Sequence, residues 1–301
     1  MQLMSKLSKL IKTPNLYLKD AIEKRLNKKS INIKKAQPKH KEIVQMNVER
    51  YKVDIKKIKV NLVIIDNILE EYKIKNNILK LQYRSIEKYG NFSSVSYISK
   101  DIKIAHKEIL TYENYDDFFK KRILPNSHRN EVFVFININF FFLKKINHSD
   151  FIGDNGKVIN YIKKNKNKII NFDSDINNIM EGVSYNFTPM ENISICNTIS
   201  LIYLDKKNTN KLSSNEYIFK FLPIAGTILL QNSILESPIQ YARLDYGFIE
   251  KFVWIQSVHG SNRCPLAITF DESTSNESLY FEFLESLFPH SSNREAVLSA
   301  I

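Results

Sequence analysis

Two acids and a pair of amides stand where the strands of an α/β chain would end. Asp66 closes the apolar run 58–66 (IKVNLVIID), and Asn137 and Asn139 interrupt the otherwise apolar run 132–143. Ligands of open α/β sheets gather outside the carboxyl ends of the strands. That rule puts Asp66, Lys100 and residues 137–139 near a candidate site. An acid at a strand end is well placed for chemistry, and such acids also cap the helix that follows. An amide can lend a metal its oxygen but brings no charge. Arg84 lies on a helical stretch, where a guanidinium either clamps phosphate or meets solvent. His128 sits in a polar, basic loop, and Asp271 with Glu272 opens a turn before the last apolar helix.

The elements that must position these groups follow from hydrophobic periodicity. Residues 58–66 and 94–99 (SVSYIS) have the short, β-rich apolar character of buried strands. Between them, 76–89 repeats Ile78, Leu81, Ile86 and Tyr89 at helical spacing. A helix over 115–122 and a third strand over 132–143 continue the alternation, which is that of an α/β layered, mostly parallel sheet flanked by helices. Further on, 198–204 reads as a strand or a helix start, 216–233 as helical apart from Pro223, and 264–270 as a strand. Tyr280, Phe283, Leu284 and Leu287 mark a C-terminal amphipathic helix over 277–287, stopped at Phe288-Pro289.

Composition bounds the function classes. The 301 residues, 43% hydrophobic and 12% aromatic, suit a globular chain of one large domain or two small ones. The formal charge of +12 resides entirely in residues 1–60, with 17 Lys/Arg against five acids, while the remaining charges cancel. A neutral domain therefore follows a basic arm. In the arm, Leu3, Leu7, Leu10 and Ile11 share one helical face and Lys6, Lys9 and Lys12 lie toward the other. Anionic lipid is the most economical partner for that pattern. Nucleic acid is not expected, because the arm lacks interleaved aromatics. Cys196 and Cys264 alone give neither a disulfide framework nor zinc spacing, which points to a reducing compartment. No run approaches the roughly 18 apolar residues of a spanning helix, and lysines interrupt any N-terminal signal-like stretch. A soluble or peripheral protein is expected.

Four segments carry a resemblance, in order along the chain. The leader 4–24 (MSKLSKLIKTPNLYLKDAIEK) has the basic start and Pro-Asn-Leu-aromatic core of capsule polymerases. Residues 77–90 (NILKLQYRSIEKYG), 132–151 (VFVFININFFFLKKINHSDF) and 266–289, ending TFDESTSNESLYFEFLESLFP, are similar to three conserved regions of the Stealth family. That family comprises bacterial capsule polysaccharide transferases. The resemblance implies a nucleotide-sugar transferase-like α/β core behind a basic helical N-terminal arm. It divides the chain into a leader and linker (1–57), a nucleotide-binding-like half (58–172) and the second half of the core (173–301). The implied activity moves hexose-1-phosphate from a nucleotide sugar onto a capsular glycan acceptor, with Mg²⁺ or another divalent metal as cofactor. The implied location is cytoplasmic, peripheral to the inner face of the cytoplasmic membrane, beside other capsule synthesis proteins.

Carried onto this chain, the resemblance implies catalytic roles for Asp66, Asp271 and His128, the last within an Asn-Ser-His triplet at 126–128. It implies cofactor binding by Arg84, Ser85, Asn137 and Asn139, and leaves the metal ligands unknown. The chain departs from the pattern at chemical positions. Lys59 stands for the first Asp of the opening motif, Ile138 and Asn139 for a paired Asp, and 223–225 (Pro-Ile-Ala) for a histidine cluster. Losing carboxylates from a metal–diphosphate site removes its main electrostatic stabilisation. Two outcomes are therefore expected: a transferase of reduced or lost activity, or a non-catalytic relative that binds glycan or a partner transferase. Asp101, Asp154 and Asp271 are the acids that could substitute by converging in space.

Overall fold

A computed structural model describes residues 57–66, 72–99, 109–164, 187–206, 212–213, 215–243, 248–271, 274 and 278–292. The amphipathic arm, Lys100, Asp101, Glu272 and the boundary at 172/173 lie outside the described residues.

The architecture is α/β, with a five-stranded central sheet in the order β3-β2-β1-β4-β8. Its strands are β1 (Lys59–Ile65), β2 (Ser94–Ile98), β3 (Ile109–Tyr112), β4 (Glu131–Asn137) and β8 (Ile193–Asn197). The first four are parallel and β8 runs antiparallel to β4. Leu62 at the centre of β1 pairs with Val95 on one side and Val134 on the other. Side chains alternate between two cores, as period two requires. Val60, Leu62, Ile64, Val132, Val134 and Ile136 enter one; Val63, Ile65, Phe133 and Phe135 enter the other. Burial on both faces explains why these strands read as near-continuous apolar runs.

Helix α1 (Tyr72–Tyr89) joins β1 to β2 and buries Ile78, Leu79, Leu81 and Ile86. A short helix α2 (Tyr115–Phe118), capped by Asn114, runs into a π-helical turn at Phe119–Ile123. The expected strand over 132–143 is divided in two. β4 ends at Asn137, Ile138 and Asn139 turn, and β5 (Phe140–Phe142) joins a different sheet. The physical reason is Gln82, whose buried amide donates to the carbonyls of Asn137 at 3.0 Å and Phe140 at 3.1 Å. One side chain thus supplies both flanks of the turn with hydrogen bonds that a continuous ladder would have made.

The second sheet has the order β10-β11-β5, from β10 (Ile239–Ala242) and β11 (Ala267–Phe270). The third has the order β7-β6-β9, from β6 (Ile159–Lys164), β7 (Phe187–Pro189) and β9 (Ser233–Glu236). The segment at 198–204 is helical: Asn197 caps α3 (Thr198–Asp205) by accepting from the Ser200 N–H. A π-helical turn (Glu216–Phe221) leads into α4 (Leu222–Ile228), where Pro223 occupies the first turn and leaves the helix unbroken. α5 (Phe248–Val258) lies between β10 and β11, and α6 (Ser278–Leu287) buries Tyr280, Phe283, Leu284 and Leu287 as the spacing predicts. Among the described residues no helix is long and apolar enough to cross a membrane.

Candidate functional site

The chain leaves β1 toward β2 and β3 on one side and reaches β4 on the other, so the order of strands reverses between β1 and β4. Crevices form at the carboxyl ends of strands at such a reversal. Asp66 follows β1 there, and its N–H donates to the Ile98 carbonyl at 3.0 Å. Its Oδ2 accepts from the Ser99 hydroxyl at 2.8 Å. Burial, and then the Asp66 carboxylate, push the neighbouring Tyr97 phenol well above its ordinary value.

Asn137 ends β4 and is pinned to the 190–192 turn. Its N–H donates to the Asn192 carbonyl at 3.2 Å, and its Nδ2 donates to Asn192 Oδ1 at 3.2 Å. From this wall opens a cleft of about 550 Å³, lined by Asn137, Glu191, Asn192, Glu216, Lys220, Tyr241, Phe270 and Asp271, among others. That volume lies in the usual range for small-molecule sites. Asp271 reaches it from the end of β11. Its Oδ1 accepts from the Thr274 hydroxyl at 2.6 Å and the Thr274 N–H at 3.1 Å. Its Oδ2 lies 3.9 Å from Arg243 Nε, whose guanidinium stacks 5.0 Å from the Tyr241 ring centre. Burial first, then Asp271, raise the Tyr241 phenol above its usual value.

Glu216 is held by Ser213 across a Ser-x-x-Glu capping box. The Ser213 hydroxyl donates to Glu216 Oε2 at 2.8 Å and accepts the Glu216 N–H at 3.3 Å. The same hydroxyl holds the Glu216 carboxyl below its ordinary range. Carboxylates and amides together suit a hydroxyl-rich ring, with the acids accepting hydrogen bonds.

The expected site residues divide into four groups. Asn137 and Asp271 meet in the cleft, although they come from widely separated segments. Asp66 stands at the same edge of the sheet outside the cleft lining, and Asn139 is fully buried, its Oδ1 accepting from the Tyr280 hydroxyl at 3.3 Å. Arg84 and Ser85 join α1 to its neighbours. Arg84 Nη1 donates to the Phe288 carbonyl at 3.0 Å, at the end of α6 where cations satisfy the last carbonyls. Ser85, fully buried, donates to the Phe142 carbonyl and accepts the Phe142 N–H at 2.7 Å. His128 is exposed before β4 begins, at the opposite end of the sheet from the cleft.

Asp154 lies exposed in the turn between Ile152 and Val158, away from the cleft lining. Pro223, Ile224 and Ala225 are buried in α4, with the Pro223 carbonyl accepting from Asn160 at 2.9 Å. The resemblance implies a divalent metal held by carboxylates. Ile138 is fully buried, and no three His, Cys, Asp or Glu side chains among the described residues come together. Glu191, Glu216, Lys220, Tyr241 and Arg243 were missed by sequence reasoning; only the Ser213–Glu216 capping box left a local signature. No protein-family model and no curated protein matches this chain.

Proposed function

We propose that this chain serves capsular polysaccharide biosynthesis on a Stealth-like transferase scaffold. In this reading it acts at the inner face of the cytoplasmic membrane, with the cleft holding a sugar as hexose-1-phosphate passes from a nucleotide sugar to a glycan acceptor. One observation carries the reading: Asn137 and Asp271, drawn from two different segments that resemble the family, line one cleft at the carboxyl end of β4. Asp271 is the residue there with a carboxylate next to a guanidinium, suited to orienting an acceptor hydroxyl.

A second reading has its own support. Ile138 is buried and Asn139 is committed to Tyr280, at positions where the family carries paired aspartates. This favours a relative that binds glycan without transferring it.

Purified chain incubated with a panel of nucleotide sugars, Mg²⁺ and an oligosaccharide primer separates the two, with phosphodiester product read by ³¹P NMR and binding by calorimetry. Turnover abolished by Asp271→Asn supports transfer. Binding without turnover supports the second reading. Neither binding nor turnover across the panel overturns both.

A further inference from the structure

Among the described residues the two ends of the central sheet carry opposite charge. At the amino ends of the strands, exposed Lys57 and Lys59 start β1, and exposed Arg129 stands just before β4, whose Glu131 is the register partner of Lys59. The loop after β5 folds under the same end. His148 Nε2 lies 2.9 Å from the Ile58 carbonyl, and the Ile146 N–H donates to the Tyr89 carbonyl at 3.0 Å. That loop brings exposed Lys144 and Lys145. The turn after α5 completes the face: His259 Nε2 is 2.8 Å from the Tyr89 hydroxyl, the Cys264 thiol is 3.9 Å from the Leu143 carbonyl, and exposed Arg263 lies between them in sequence.

The acids at this end do little to cancel it. Glu131 is matched by Arg122 at 2.6 Å, while half-buried Asp150 and exposed Glu87 and Glu285 set their charge against the more numerous cations. The cleft end has the reverse balance, with Asp66, Glu191, Glu216 and Asp271 facing Lys220 and Arg243. A charge separation along the strand axis orients a molecule above a charged plane.

We propose that the basic end of the central sheet is a docking face for an anionic lipid bilayer, seating the folded domain with its cleft directed away from the membrane. The cations are spread over several loops as a face, which suits a plane of headgroups. The basic arm joins the chain at Lys57, on this same face, so arm and face attract the same surface. Each cation near an anionic leaflet strengthens binding about fivefold, and the effect fades within a Debye length. The proposal goes beyond the sugar reading and is tested without any sugar.

The full chain is assayed on phosphatidylcholine vesicles with and without phosphatidylglycerol. Lys144→Glu/Lys145→Glu weakens partition onto the anionic vesicles about tenfold or more, and leaves the far-UV circular dichroism unchanged. Orientation is read by labelling Ser127→Cys at the basic end or Glu191→Cys at the cleft with a fluorophore, the native Cys196 and Cys264 being buried. Headgroup-nitroxide lipids should quench the Ser127→Cys label several-fold more than the Glu191→Cys label. Equal or reversed quenching overturns the proposal. So does partition unmoved by the charge reversal, or binding of RNA without binding of anionic vesicles.

Discussion

Removing the Arg122 guanidinium probes the junction between the central sheet and its basic end. Arg122 Nη2 lies 2.6 Å from Glu131 Oε2, with side-chain exposures of 14% and 3%. The same carboxylate oxygen accepts from Asn61 Nδ2 at 3.1 Å, and Asn61 in turn accepts from Ser94 at 2.7 Å. The guanidinium also lies 5.5 Å from the Phe133 ring centre. Arg122→Met keeps much of that packing and strands a buried carboxylate. Breaking a buried pair from one side costs about 3–5 kcal/mol. Arg129, at 3.9 Å and half exposed, compensates weakly, so the lower end of about 3 kcal/mol is expected. In Arg122→Met/Glu131→Gln no charge is left behind, and Asn61 can still donate to the Gln oxygen. The double variant should recover about 2 kcal/mol of the loss. Urea unfolding followed by circular dichroism reads both values, with an unchanged slope showing that stability alone moved. A single-variant cost below about 1 kcal/mol, or a double variant no better than the single, refutes the argument.

Two further outcomes follow from the same packing. Gln82→Leu withdraws both donors from the 137–140 turn and also removes the buried, unpartnered Gln82 Oε1, for a net loss of about 2 kcal/mol by urea midpoint. The same change should weaken ligand binding, because Asn137 forms a wall of the cleft. His259 is held below its ordinary value by burial and then by Lys88, so the folded state binds its proton less readily than the unfolded chain. Its contribution is present above the unfolded value and is lost as pH falls through the lower folded value. Urea midpoints at pH 7.5 and 5 should therefore fall further on acidification in the natural chain than in His259→Gln; equal falls would show that this imidazole does not contribute.

β1, α1 and β2 were legible because local spacing reports local exposure. The run 58–66 became Lys59–Ile65, and 76–89 fell inside Tyr72–Tyr89. The break at Ile138-Asn139 was hidden, because residues on both sides are equally apolar and buried in different sheets. Its cause is a glutamine more than fifty residues earlier in the chain, which no window around the turn contains. Arg84 and Ser85 show a related limit. Their types suit phosphate binding and suit joining a helix to its neighbours, and only the positions of Phe142 and Phe288 distinguish the two.

The sequence by itself determined the alternation of strands and helices, the confinement of net charge to the first sixty residues and the apolar faces that build both cores. These properties follow from side-chain type and short-range periodicity. Tertiary structure alone decided that Asn137 and Asp271 share a cleft, that His128 lies at the other end of the sheet, and that the described charges separate along the strands. Convergence depends on strand order and on which loop folds beneath which end. Those relations are set by contacts between residues remote in the chain, and no local pattern records them.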